Sequence, residues 1–235
     1  MGLYDARTLL EEEKLDVTLC AAALFSISDG ASGVLGVSDR MLTVPPDIQY
    51  EPHGQQKIYY LTNSIQIMTA GDSGLQADIL PRVKREAYER IDLGDRWLNV
   101  KEVAEIYAEV YLSERQARAE IDVLRPPGLN FERWIDRQQE LDASLVTAIA
   151  KELYNFQIPT ASAIIAGVDP TGPHIYVVMN SDITCHDKVG FAAIGVGKNH
   201  AGSEFMFAGH SRYRLYPEHC SWPTVQRKEQ RRHQA

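Results

Sequence analysis

The sequence has few of the features that mark secreted or membrane proteins. Its three cysteines, Cys20, Cys185 and Cys220, are odd in number and far apart. This usage suits free thiols in a reducing compartment better than a disulfide framework. No apolar run reaches the roughly 18 residues that a membrane span needs, and the acidic residues Glu11 to Glu13 do not fit a signal peptide. The sequence therefore predicts a soluble, cytoplasmic protein.

Positive charge is also scarce. Lysine and arginine number 24 against 32 aspartates and glutamates, so the formal net charge is −8. Such a balance gives no attraction to phosphate backbones or to anionic membranes, and neither nucleic acid nor membrane is an expected partner. Linkers rich in Gly, Ser or Pro and internal repeats are missing as well, and we expect one domain.

The hydrophobic pattern divides the chain into strands, then helices, then strands. Apolar runs and turn residues between positions 17 and 70 predict two β-hairpins. From Ala77 to Phe156 apolar residues recur at helical spacing, with an interruption at Pro126 and Pro127. The β pattern returns in Ala161 to Val168, Ile175 to Val178 and Phe191 to Ile194. Because the strands are too apolar to have one face in water, we expect an α+β fold of two stacked antiparallel sheets flanked by helices.

Several short motifs lack the accompanying residues that their chemistry needs. Gly71-Asp72-Ser73-Gly74 is similar to the nucleophile loop of trypsin-like serine proteases, but the only histidine upstream is His53 in a Pro- and Gly-rich loop. Gly195 to Lys198 resembles a phosphate loop, yet Asn199 stands where a Ser or Thr would hold magnesium. The Cys and His residues near the C-terminus match no zinc spacing. No metal and no cofactor are predicted.

One ordered set of segments lies across the first hairpins. It consists of Val17-Thr18-Leu19-Cys20-Ala21-Ala22, Gly36 to Thr43, Lys57-Ile58 and Ala70-Gly71-Asp72, with Gly190 to Gly197 later in the chain. The set resembles the proteasome β-subunit family and its bacterial two-ring relatives, which are N-terminal-nucleophile hydrolases. By this resemblance Thr18 is the nucleophile, Asp39 and Lys57 tune it, and the Gly71 amide forms the oxyanion hole. The resemblance further implies a four-layer αββα sandwich, peptide or protein substrates, and a homo-oligomeric ring.

The residue types suit that chemistry. A threonine hydroxyl is a poor nucleophile at neutral pH, but a free α-amine on the same residue, with a pKa of about 7.7 to 8.0, can accept its proton. A nearby lysine ammonium lowers the pKa of that amine, and a carboxylate keeps the lysine charged. Each residue also has a structural explanation when it is taken alone: Thr18 as a strand residue, Asp39 in a local ion pair, Lys57 as a strand end and Gly71 as a turn.

Departures from the family pattern leave alternatives open. Val196 replaces the usual serine beside the nucleophile, Met41 occupies the usual arginine place, and Thr18 is internal, preceded by Val17. Two alternatives follow. The chain is a catalytically inactive homologue with an assembly or binding role, or it is a small-amide amidohydrolase of the same fold. Cys20, two residues along the strand, is the reserve nucleophile.

Both ends of the chain lie outside the resemblance. The predicted domain spans residues 17–217, with a helical middle at about 77–156, between an extension at 1–16 and a non-family tail at 218–235. Purine-rich codons for Glu11 to Lys14 would resemble a ribosome-binding site just upstream of Val17. We hypothesise that Val17 is the true initiator methionine, because a GTG codon encodes valine internally and methionine at a translation start. The basic tail has no apolar periodicity. Another reading frame after Pro217 permits an amphipathic helix, and we hypothesise a frameshift that truncates the fold at its C-terminus.

Overall fold

The computed structural model describes residues 18–27, 31–44, 48–50, 56–94 and 97–210, and only the backbone at 42–44 and 48–50. The extension at 1–16, Val17, His53, Cys220 and the tail at 218–235 lie outside these ranges. The two hypotheses on the chain ends therefore stay predictions.

Ten strands and five α-helices are formed within the described residues. The strands are β1 Cys20–Ser26, β2 Ser32–Ser38, β3 Leu42–Val44, β4 Ile48–Tyr50, β5 Ile58–Tyr60, β6 Ile65–Gly71, β7 Ala161–Asp169, β8 Gly172–Met179, β9 Asp182–Cys185 and β10 Phe191–Ile194. The helices are α1 Ser73–Gly94, α2 Val100–Ala119, α3 Phe131–Arg137, α4 Ala143–Asn155 and α5 Lys198–Phe207, with a π-helical turn at Glu120–Leu124.

Two antiparallel sheets dominate the fold. One has the strand order β10-β1-β2 and the other β5-β6-β7-β8-β9, while β3 and β4 pair separately. Strand alternation sends Cys20 and Ala22 of β1 towards Met68 of β6 and Ile164 of β7, and these apolar residues form a buried core between the two sheets. The prediction of an α+β fold with two antiparallel sheets and helices is confirmed at this level.

Helices α1 and α2 pack on the other face of the five-stranded sheet. In α1 the buried residues Leu75, Ile79 and Val83 recur every four positions, and they meet Ile65 and Ile67 of β6 in a second core. The N-terminus of α2 is capped by a capping box between Asn99 and Glu102. These contacts fix the start of α1 directly beside the end of β6.

The remaining helices form smaller contacts. The π-helical turn, α3 and α4 enclose a small core around Trp134 and Leu124. Helix α5 packs against β10, where the rings of Phe205 and Phe191 stack with their centroids 4.7 Å apart. No helix in the described part of the chain is both long and apolar enough to cross a membrane.

Element boundaries differ in detail from the sequence-based expectation. The helical region begins at Ser73 instead of Ala77 because Asp72 accepts a hydrogen bond from Leu75 N and starts the helix four residues earlier. Strands β3, β4 and β9 and helix α5 were not predicted. All four residues of β9 are exposed, so that strand carries no apolar alternation to find.

Candidate functional site

Thr18 and Asp39 are brought together by the pairing of β1 and β2. The register places Cys20 opposite Ser38, so the residues just outside the two strands also lie side by side. Leu19 N donates to Asp39 Oδ2 at 2.7 Å, and Asp39 N donates to Leu19 O at 3.0 Å. These two hydrogen bonds hold the Asp39 carboxylate next to the residue that follows Thr18.

Lys57 completes a polar cluster with these two residues. It directly precedes β5, and its Nζ donates to Thr18 Oγ1 at 3.3 Å and forms an ion pair with Asp39 Oδ1. The Lys57 side chain is only 5% exposed, against 25% for Asp39. A buried ammonium is tolerated where a carboxylate compensates its charge. The structure thus brings the side chains of Thr18, Asp39 and Lys57 into one cluster.

Gly71 lies at the end of β6 and lines the same cavity as Thr18 and Lys57. Its φ is +100°, and a Cβ here would fall 2.3 Å from Thr160 O, so only glycine fits. The cavity has a volume of about 390 Å³. Its other lining residues are Tyr59, Thr69, Ala70, Ser73, Gly74, Gln76 and Ala77.

A glycine turn after β10 holds the Thr18 backbone from the other side. Gly197 N donates to Thr18 O at 3.2 Å, and Gly195 has a φ of +89°. A Cβ at Gly195 would fall 2.1 Å from Thr18 O. We did not predict these glycines as site residues. The sequence feature that could have revealed them is the presence of a glycine on each side of Val196. Both glycines lie in the segment Gly190 to Gly197, which carries part of the resemblance.

Gln76 is a third site residue that the sequence did not reveal. It is buried at the start of α1, and its Nε2 donates to Ala70 O at 3.2 Å and to Ser162 O at 3.3 Å. Its Oε1 accepts from Tyr107 Oη at 2.9 Å, and burial raises the pKa of that phenol. The side chain thus links α1, β6, β7 and α2 at the cavity wall.

Cys20 is placed away from the cavity. Its side chain is fully buried in the core between the sheets, and Sγ donates to Thr69 O at 3.3 Å. Burial raises the pKa of the thiol to about 12, even though the Lys57 charge acts in the opposite direction. Because the thiolate is the nucleophilic form of cysteine, this position argues against Cys20 as reserve nucleophile.

The described residues contain no group of three or more His, Cys, Asp or Glu side chains arranged to hold a metal ion. The cavity contains the Thr18 hydroxyl beside the buried Lys57 ammonium, and it is also lined by Gly71, whose φ is positive. Together, these hydrogen-bond donors are suited to stabilising negative charge on an oxygen atom. No protein-family model matches the chain, and no curated protein matches it.

Proposed function

We propose that this chain is an N-terminal-threonine hydrolase of the proteasome β-subunit type, acting as a peptidase when Thr18 is the first residue. The observation that carries the proposal is the position of Lys57 Nζ, which contacts both Thr18 Oγ1 and the Asp39 carboxylate. The cluster opens on a cavity that Gly71 also lines. Nucleophile, tuning residues and oxyanion donor are thus proposed at Thr18, Asp39, Lys57 and Gly71.

The proposed mechanism uses Thr18 as both nucleophile and base. Its free α-amine accepts the Oγ1 proton while Oγ1 attacks the substrate carbonyl carbon, forming a tetrahedral oxyanion. The Lys57 ammonium lowers the pKa of the amine and stabilises the developing charge, and the Gly71 amide donates to the oxyanion. Collapse expels the amine product, which takes the proton and leaves an ester on Thr18. Water then hydrolyses that ester, which releases the carboxylic acid product and restores the Thr18 hydroxyl.

The arrangement of layers supports the family part of the proposal. Two antiparallel sheets face each other, with α1 and α2 outside one sheet and α5 against the other. We propose that these layers form the αββα sandwich of the N-terminal-nucleophile hydrolases. Assembly of copies into a ring, a peptide or protein substrate, action without a cofactor and a cytoplasmic location belong to the same proposal.

The first experiment is the N-terminal sequence of the protein purified from its own host, with Thr18 expected as the first residue. Peptide hydrolysis is then measured for the wild type, Thr18→Ala and Thr18→Ser. The alanine variant should lose hydrolysis, and the serine variant should keep part of it because its hydroxyl and amine remain. A threonine-directed covalent inhibitor should label Thr18 and not Cys20. Wild-type turnover in Thr18→Ala would refute the proposal.

A second candidate is a homologue without catalytic activity that assembles or binds partners. It is favoured by Val17, because Thr18 attached to Val17 has an amide nitrogen and no basic lone pair. Met1 at the N-terminus of the host protein, together with no hydrolysis, would support this candidate. Hydrolysis of small amides but not of peptides would instead indicate an amidohydrolase of the same fold.

A further inference from the structure

The peptide bond between Ala70 and Gly71 carries the proposed oxyanion donor, and its carbonyl oxygen is held by Gln76. Gln76 Nε2 donates to Ala70 O at 3.2 Å and to Ser162 O at 3.3 Å. Ala70 and Ser162 face each other in the register of β6 and β7. The contact from Gln76 therefore holds the Ala70 carbonyl on the side of β6 where β7 lies.

The planar peptide bond transfers this restraint to Gly71. In a trans peptide the C=O and the N–H of one unit point in opposite directions. With Ala70 O held towards β7, the Gly71 N–H points towards the opposite neighbour of β6, which is β5. Lys57 directly precedes β5, and its O accepts from Thr69 N on that side at 3.0 Å. The Gly71 N–H is thus directed to the side of the cavity on which Lys57 lies.

The Gln76 amide is itself held in one orientation. Carbonyl oxygens only accept hydrogen bonds, so the amide nitrogen faces the two carbonyls and the amide oxygen faces Tyr107. Tyr107 Oη donates to Gln76 Oε1 at 2.9 Å, and burial raises the pKa of this phenol, so it keeps its proton. Gln76 is only 5% exposed, and Tyr107 is fully buried. Two buried side chains therefore form a chain of hydrogen bonds that ends at the Ala70 carbonyl.

We infer that Gln76 is a positioning residue for the oxyanion hole, because it fixes the plane of the Ala70–Gly71 peptide and with it the direction of the Gly71 N–H. The inference rests on the proposed function, in which the Gly71 amide donates to the tetrahedral oxyanion. A hydrogen bond to the carbonyl also polarises the amide and strengthens its N–H as a donor. A donor that is in place before the reaction stabilises the transition state without a cost of reorganisation. Gln76 acts through Gly71, and the chemical step stays with Thr18.

Three variants isolate this contact. Gln76→Met keeps the length of the side chain but cannot donate to Ala70 O. Tyr107→Phe removes only the hydroxyl that holds the Gln76 amide. Tyr111→Phe is the matched control, since Tyr111 lies one turn further along α2 and its Oη donates to Asn180 Oδ1 at 3.1 Å, a bond that does not involve Gln76.

The first measurement is NMR of the full chain, which needs no activity. Labelling with carbonyl-13C alanine and 15N glycine selects Ala–Gly peptides, and the carbonyl shift of Ala70 reports the hydrogen bonds that its oxygen accepts. Gln76→Met should move the Ala70–Gly71 signal, while those of Ala166–Gly167, Ala201–Gly202 and Ala208–Gly209 stay unchanged. An unmoved Ala70–Gly71 signal would overturn the inference.

If Gln76→Met does not fold, Tyr107→Phe decides by the same signal. It should move the Ala70–Gly71 signal in the same direction by less, and Tyr111→Phe should leave that signal at its wild-type position. Equal shifts in the two phenylalanine variants would count against the inference.

The second measurement is kinetic and uses protein whose first residue is shown to be Thr18. It compares hydrolysis of a fluorogenic peptide amide with inhibition by the aldehyde of the same peptide sequence. Thr18 Oγ1 adds to the aldehyde carbon and passes its proton to the α-amine, so the oxygen of the adduct occupies the oxyanion position. The aldehyde therefore reports on the oxyanion hole, whereas KM reports on binding of the intact peptide when the chemical step is slow.

Gln76→Met should lower kcat by about tenfold with KM unchanged, which is part of the roughly 100- to 1,000-fold lost when an oxyanion donor is removed in another hydrolase. It should weaken inhibition by the aldehyde by a similar factor. Tyr107→Phe should change both quantities in the same direction by less, and Tyr111→Phe should change neither. A lower kcat with wild-type inhibition by the aldehyde would show only a loss of folded protein, and would refute the positioning role.

The two measurements separate the inference from the proposed function. Hydrolysis that depends on Thr18 but keeps its wild-type rate in Gln76→Met refutes the inference alone. Absence of hydrolysis by a wild-type chain that begins at Thr18 refutes the proposed function. A moved Ala70–Gly71 signal would then show a structural hydrogen bond, and the positioning role would fall together with the proposed function.

Discussion

Gly195 lies directly against the carbonyl oxygen of Thr18, at a distance where a Cβ atom would fall 2.1 Å away. Its φ of +89° is itself rare for any residue with a side chain. The turn after β10 therefore fixes where Thr18 sits, although almost 180 positions separate the two residues along the chain.

The first prediction follows from this contact. Gly195→Ala should lower the free energy of unfolding by more than the roughly 1 to 2 kcal/mol that a left-handed conformation costs alone, because Thr18 must also move. Gly128→Ala is the matched control, since Gly128 has a φ of +82° and nothing within 4 Å of its Cβ position. Urea unfolding measures both. Equal losses in the two variants would show that the contact with Thr18 carries no energy.

A second prediction concerns the ion pair of Lys57 and Asp39. Asp39→Asn keeps an acceptor for Leu19 N but leaves the Lys57 ammonium buried without a counter-ion, and we expect a loss of about 3 kcal/mol. Lys57→Met should lose less, since Asp39 is more exposed. The double variant should be more stable than the sum of the single losses predicts. Strict additivity in urea unfolding would contradict a coupling between the two side chains.

The third prediction concerns the reactivity of the cysteines. The thiol pKa of Cys20, raised to about 12 by burial, leaves almost no thiolate at pH 8. Cys185 is exposed. Iodoacetamide at pH 8 should therefore alkylate Cys185 well before Cys20 in the native protein, and both should react in urea. Mass spectrometry of the digested protein resolves the two sites, and rapid native labelling of Cys20 would be the contrary result.

The fourth prediction concerns acid stability at Asp187. Burial alone would raise the pKa of this carboxyl, but hydrogen bonds from His174, Ile175 N and Cys185, with the charge of His174, together hold it below its ordinary value. His174 Nδ1 lies 2.7 Å from Asp187 Oδ2. A lowered carboxyl pKa stabilises the fold above the unfolded pKa of about 3.9, and this stability is lost as pH falls through the lower folded value.

We therefore expect the stability of the wild type to fall between pH 5 and pH 2 more steeply than that of Asp187→Asn. Urea midpoints across this pH range provide the measurement. His174→Gln, which removes the charge but keeps a donor, should flatten the same slope in part. Parallel slopes for wild type and Asp187→Asn would exclude Asp187 as a contributor.

The meeting of Thr18, Asp39 and Lys57 could be predicted because an ordered set of residues on successive strands resembles a known family. The large elements could be predicted from the apolar runs of β1 and β7 and from the helical periodicity of α2. The role of Gln76 could not be predicted in this way. The helical pattern predicts that a glutamine lies at the surface. The partners of Gln76, Ser162 and Tyr107, come from distant segments that only the tertiary fold brings near.

The site residues named above around Thr18 follow it in the chain. Asp39, Lys57, Gly71 and Gly197 are in place while Thr18 is still joined to Val17 by a peptide bond. Under the proposed function the enzyme is therefore folded but latent before processing. Cleavage of one bond would supply the missing base, so the timing of activation would be set by that cleavage and not by a rearrangement of the fold.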